Sequence, residues 1–243
     1  MIYSQSRQFL FLKPFKVGGT SVLQALGTKC RDGDLVSALF LEPEDLSRFP
    51  TSQLTPLPQH VYSDRPRATR YKINTSLNTH ALPRMIQDKI GRKAWDRAFK
   101  VSIVRSPWDL MVSFRGMRLL NPNGFLEPAK TNFSSFVERF DFTTIPPPYN
   151  EVPINDCWYF DPASDRPLVD FFLRFERLQA DFDTLCDRLQ LPRQRLPHMQ
   201  RKTPRPHYCH FYDPATRDRV AQLFARTIDS FGYTFEACGI SAN

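Results

Sequence analysis

The chain has 243 residues, a formal charge of +8, 41% hydrophobic and 24% charged side chains. This length and composition support a core of ordinary size and exclude wholesale disorder. The basic balance calls for an anionic partner, nucleic acid or a multiply phosphorylated nucleotide, although no run of five or six Lys/Arg residues marks a polybasic tail.

In chain order, Gln8 to Leu12 (QFLFL) reads as a short buried strand, with no leader-peptide layout before it. The chain turns through Lys13 to Gly19 and enters a helix at about Thr20, with Val22, Leu23 and Leu26 on one face. Leu82, Met85, Ile86 and Ile90 form the stripe of a second helix. Lys100 to Val104 (KVSIV) is a β-branched strand. After Arg105, Ser106 caps a further helix, Pro107 takes its first position and Asp109 sits in its first turn. A strand at Asp170 to Phe175 precedes a helix carrying Leu178, Phe182, Leu185 and Leu189. Val220, Leu223, Phe224, Ile228 and Phe231 predict the longest helix, ended by Gly232. Alternation of strands and helices predicts one α/β domain over residues 1–243, with a central, mostly parallel sheet flanked by helices. Residues 42–79 and 120–167 are rich in Pro and polar residues and read as irregular loops or lids on the acceptor side.

Five cysteines (Cys30, Cys157, Cys186, Cys209, Cys238) lie far apart without a C-x-x-C pair. They read as reduced thiols of a cytoplasmic protein. No apolar stretch approaches the ~20 residues that span a bilayer, so no membrane partner is expected.

The chemistry concentrates at two strand-to-helix junctions. In Lys16-Val17-Gly18-Gly19-Thr20-Ser21, glycines let the backbone approach an anion, the helix start offers free N–H groups, and Lys16, Thr20 and Ser21 add donors. A plain glycine turn capping a helix would have the same string. A Walker A loop is absent, because Lys16 precedes the glycines instead of following them. At the second junction, Arg105 ends a strand and Ser113 lies about two helical turns on, so both can reach one phosphate; a surface ion pair of Arg105 with Asp109 is the alternative. Both junctions belong beyond the carboxyl ends of strands, where ligands bind in open α/β sheets.

These residues resemble a known family. Lys13 to Ser21 is similar to the 5′-phosphosulfate loop of sulfotransferases that use 3′-phosphoadenosine-5′-phosphosulfate (PAPS). Val104-Arg105-Ser106-Pro107-Trp108-Asp109 with Ser113 is similar to their 3′-phosphate motif. The resemblance continues through Phe175 to Phe182, Leu196-Pro197-His198 and Phe231 to Phe235, and is closest to the branch of carbohydrate sulfotransferases and bacterial relatives. It implies a P-loop-kinase-like domain with no metal. It also implies that Lys16, Val17, Gly18, Gly19, Thr20 and Ser21 hold the 5′-phosphosulfate, and that Arg105 and Ser113 hold the 3′-phosphate. A late basic loop with Arg201, Lys202 and Arg205 would cover that phosphate. Val17 stands where Thr is usual, Phe15 where Pro is common, and Ser106 where Asn is usual.

The expected reaction is in-line sulfuryl transfer from PAPS to a hydroxyl of a carbohydrate or small natural product. Lys16 stabilises the developing charge and a base takes the proton. His80, just before the Leu82–Ile90 helix, is the first candidate base; His198, His207 and Asp34 are others. Tyr149, Trp158, Tyr159 and Phe160 either wall the acceptor site or belong to the core. Glu176 is expected to order backbone or Arg groups. The rival readings are a nucleotide kinase and a non-catalytic polyanion-binding module. Aromatic and basic residues do not interleave as a nucleic-acid stacking platform requires.

Overall fold

A computed structural model describes residues 1–57, 68–115, 132–140, 154–164, 166–197 and 206–236, with backbone alone at 120–121 and 124–125. In chain order it forms β1 (Ile2–Ser4), β2 (Phe9–Phe11), α1 (Gly19–Gly27), β3 (Leu35–Leu41), β4 (Leu54–Pro56), β5 (Thr69–Ile73), α2 (Pro83–Ile90), α3 (Arg92–Arg97) and β6 (Phe99–Val104). Then follow α4 (Pro107–Arg115), β7 (Leu120–Asn121), β8 (Gly124–Phe125), α5 (Phe133–Arg139), α6 (Asp156–Tyr159), β9 (Phe171–Arg174), α7 (Leu178–Arg188), α8 (Pro214–Leu223) and α9 (Ala225–Phe231). The chain divides into two compact units, Met1–Val104 with Trp158–Arg201, and Arg105–Cys157 with Lys202–Asn243.

The first unit is built on a seven-stranded sheet in the order β4-β5-β3-β1-β2-β6-β9. All three β2 residues and all seven of β3 are buried, as continuous apolar runs require when both faces are covered. Each large apolar side chain contributes ~1.5–3 kcal/mol on burial. Helix α1 packs against β1 and β3. Gln24 of α1 clips it there, donating through Nε2 to the Phe40 carbonyl (2.8 Å) while its Oε1 accepts from the Phe40 amide (2.9 Å).

The expected parallel sheet is corrected to a mixed one. Only β2–β6 and β6–β9 are parallel; β1–β2, β1–β3, β3–β5 and β4–β5 run antiparallel. β1 and β2 are joined by four residues, too few for a parallel crossover, and Gln8 takes a left-handed conformation (φ 53°) at the turn. β1 then pairs with β3 and leads the sheet into its antiparallel half. Residues 42–79, expected to be irregular, contribute β4 and β5 to that half. The described part of 120–167 holds α5 and α6. Pro56 ends β4 at the edge of the sheet, where a residue without an N–H is tolerated.

In the second unit, α4 packs on α5 and α8. Its start at Pro107 follows the sequence expectation, and the Ser106 carbonyl accepts the first helical bond, from the Leu110 amide (2.8 Å). The Trp108 indole N–H donates to the Arg217 carbonyl (3.1 Å), and the Tyr212 hydroxyl donates to the Trp108 carbonyl (2.8 Å). The predicted long C-terminal helix is two helices. Phe224, buried with φ −119° and ψ 24°, breaks it so that its ring enters the core, while Gly232 ends α9 in the left-handed conformation as expected. Asp213 caps α8, accepting from the Thr216 amide (2.8 Å) in a capping box. Cys30, Cys157 and Cys186 are in no disulfide, but Cys209 is disulfide-bonded, which corrects the expectation of five reduced thiols. Among the described residues no helix is long and apolar enough to cross a membrane.

Candidate functional site

The parallel strands converge at one edge. The register Val104↔Arg174 brings the carboxyl ends of β6 and β9 side by side, and β2 ends beside β6 at Phe11↔Val101, running the same way. The chain leaves β2 there, held by the Leu12 amide donating to the Val101 carbonyl (2.8 Å) and the Ser102 hydroxyl donating to the Leu12 carbonyl (3.3 Å).

The loop that follows is unusual backbone. Lys16 (φ 57°) and Gly18 (φ 77°) are left-handed, Val17 between them is not, and α1 begins at Gly19. Alternating handedness turns successive N–H groups toward one point and makes an anion-receiving nest at a helix start. Phe15, Lys16, Gly18, Thr20 and Ser21 are partly exposed, whereas Val17 is fully buried. Val17 therefore fills the core where the resembling motif has a hydroxyl. A Cβ on Gly18 would lie 3.1 Å from the Phe175 ring, in a conformation that side chains resist. Gly18→Ala should lower stability by ~1–2 kcal/mol, read as a shift in the denaturant midpoint; an unchanged midpoint would show that the loop relaxes freely.

Lys13 was not among the expected site residues, and it is central. It is 7% exposed. Its stem crosses the start of α1 so closely that a Cβ on Gly19 would stand 2.8 Å from Lys13 Cγ. Its ammonium lies 3.5 Å from His80 Nε2, while His80 Nδ1 donates to the Lys13 carbonyl (2.9 Å). Because a carbonyl only accepts, the Nδ1 proton is fixed and Nε2 holds the free lone pair of the neutral ring. Phe15 stacks on His80 (centroids 4.2 Å apart, 22° between planes), and the Trp158 ring meets Phe15 edge-on at 5.4 Å. The departure at Phe15 thus has a structural use: it clamps the imidazole.

Electrostatics follow from crowding. Burial first, then the charges of Arg70 and Lys16, lower the Lys13 pKa to about 7. Burial, then the Lys13 charge, holds the His80 imidazole well below its usual value. For His80 the folded state binds fewer protons than the unfolded state between that depressed value and 6.5. Its contribution is intact above pH 6.5 and stability is lost as the pH falls below it. His80→Phe should flatten that acid loss, checked by urea midpoints from pH 7 to 5; an unaltered acid slope would remove His80 as its source.

Other expected residues have different places. Asp34 is a fully buried carboxylate, accepting from the Ser4 hydroxyl (3.0 Å) and the Arg31 amide (2.9 Å), and so ties the β1 region to the turn before β3. Trp158, Tyr159 and Phe160 are core residues; the first donates to the Ala81 carbonyl (3.0 Å) and the second to the Ile103 carbonyl (2.9 Å). In the segment after Glu176, Asp181 orders backbone, accepting from the Arg174 amide (2.7 Å) and pairing with Arg177 (3.0 Å).

Arg105 and Ser113 belong to the second unit, each 6% exposed. Arg105 forms a close ion pair with Asp109, its Nη2 at 2.6 Å and its Nε donating at 2.7 Å. The alternative of an Arg105–Asp109 pair is therefore realised, in a buried setting. His207 lies 3.4 Å from Glu236 in the same unit. Tyr149, His198, Arg201, Lys202 and Arg205 lie outside the described residues. Among the described residues no group of three or more His, Cys, Asp or Glu side chains converges as a metal-ligand set.

Searches of family models, of characterised proteins and of solved structures find no match to this chain.

Proposed function

We propose that the chain is a sulfotransferase that moves a sulfuryl group from PAPS to an acceptor hydroxyl. The observation that carries the reading is the left-handed Lys16/Gly18 loop at the carboxyl edge of β2, β6 and β9, opening directly into α1. This is the place and the backbone form that an oxyanion group needs, and the residues there resemble a 5′-phosphosulfate loop.

In this reading the loop amides with Lys16, Thr20 and Ser21 bind the phosphosulfate, and Lys16 stabilises charge developing on the leaving phosphate. His80 Nε2, oriented by the Nδ1 bond and the Phe15 stack, accepts the acceptor's proton. Arg105 and Ser113 are assigned to the 3′-phosphate by the motif alone. Since Arg105 is paired and buried, Arg105→Ala should reduce stability by ~3–5 kcal/mol, by stranding Asp109, as well as weaken nucleotide binding. Loss of binding in a variant that unfolds at the wild-type midpoint would show a purely ligand-directed role.

The test is a thermal-shift comparison of 3′,5′-adenosine bisphosphate, ATP with Mg²⁺, and heparin. Stabilisation by the bisphosphate at concentrations where ATP with Mg²⁺ has no effect is expected. Stabilisation by ATP with Mg²⁺ alone favours a kinase. A response confined to heparin that falls steeply with salt favours a polyanion-binding module.

A further inference from the structure

A buried lysine normally has a carboxylate beside it. Among the described residues neither Lys13 nor Arg70 is within ion-pair distance of an acid, and Arg70 Nε, on β5, is buried without a hydrogen-bond partner. The groups facing Lys13 are instead cationic or neutral: Arg70 from β5, Lys16 from the loop, and the His80 imidazole from the turn before α2. A buried ammonium with no acid within ion-pair distance among the described residues is costly in a low-dielectric setting. An arriving anion would supply the missing partner.

The placement says where that anion goes. The Lys13 stem lies across Gly19, the first residue of α1, so the lysine belongs to the same helix start as the Lys16/Gly18 nest. Among the described residues its head has one hydrogen-bond contact, the His80 imidazole at the long distance of 3.5 Å, which leaves ammonium protons for another acceptor.

We infer that Lys13, backed by Arg70, is a second lysine of the anion site at the start of α1, and that it takes up a proton when a sulfuryl or phosphoryl group binds. Empty, the site holds Lys13 at the point where its charge is easily lost; filled, the anion favours the ammonium. Binding is then linked to pH, with affinity falling as the pH rises above about 7, the value to which Lys13 is lowered. This rests on the sulfotransferase reading only for the identity of the ligand, not for the presence of the site.

The experiment is calorimetric titration at pH 8 in buffers of different ionisation enthalpy, with 3′,5′-adenosine bisphosphate and, separately, inorganic sulfate. Wild type should take up ~0.9 proton per anion, since a group titrating near 7 is about nine-tenths neutral at that pH. Lys13→Met should bind at least tenfold more weakly with no uptake. Lys13→Arg, charged at every working pH, should bind without uptake and so separates charge from proton linkage. Arg70→Gln should raise the Lys13 pKa and reduce the uptake at pH 8. Uptake that persists in Lys13→Arg, or wild-type affinity in Lys13→Met, overturns the inference. Sulfate binding with uptake but no response to the bisphosphate sinks the PAPS reading and leaves the Lys13 site standing; absence of binding by both probes removes the site.

Discussion

A Lys13→Met chain should unfold at a higher temperature than wild type at pH 7, although the lysine is part of the candidate site. The side chain is 7% exposed and its pKa stands at about 7 in place of 10.5. A shift of that size is a folding cost of ~3–5 kcal/mol at neutral pH. Methionine keeps the volume of the stem and removes the charge, so a gain of ~3 kcal/mol, or roughly 6–12 °C in the midpoint, is expected. The sign follows from proton counting. Between pH 7 and 10.5 the unfolded chain holds a proton that folded Lys13 lacks, so wild-type stability rises with pH across that window. The difference between variant and wild type should therefore be full at pH 7 and shrink toward pH 10. A lower midpoint for Lys13→Met would mean that Lys13 is structurally paired and that no strain is held for a ligand. A stabilised variant that no longer binds anions is the signature of a residue kept for function at the expense of folding.

The second large effect is catalytic. Lys16→Ala should lower sulfuryl transfer by ~10²–10³-fold, the loss typical of removing one charge-stabilising donor from a transition state. Lys16 is partly exposed, and alanine keeps the Cβ and the left-handed backbone cost at φ 57°, so stability should stay within ~1 kcal/mol of wild type. Release of 3′,5′-adenosine bisphosphate from PAPS, followed across a panel of hydroxyl acceptors, provides the measurement. Lys16→Ala with wild-type turnover would take the leaving-group role from this residue. On the same proposal, His80→Ala should still bind the bisphosphate, since the Lys16/Gly18 nest remains, and turn over slowly, because it removes the proposed proton acceptor.

The comparison of Lys16 with Lys13 shows where sequence reasoning stops. Lys16 could be singled out because it stands between an apolar strand and a Gly-Gly-Thr-Ser string, a purely local pattern. Lys13 sits in the same segment, directly after QFLFL, and a lysine following a fully buried strand before Pro14 was a signal available to the eye. What makes it chemically special is non-local. Burial under the start of α1, His80 sixty-seven residues on, and Arg70 on an antiparallel strand create its environment. The same holds for Arg105: the sequence offered a phosphate ligand or an Asp109 partner, and its buried pairing with Asp109 became visible only through side-chain placement.

By itself the sequence determined the elements whose signals are local: β2, α1, β6, α4 with Pro107 at its start, α7, and the glycine that ends α9. Their apolar periods, caps and breakers act within a few residues. The tertiary structure alone decided the antiparallel half of the sheet, the break at Phe224 and the cation cluster around His80. Each of these depends on which distant segment covers a given face, and burial, the term that dominates both folding and pKa, is a property of that covering.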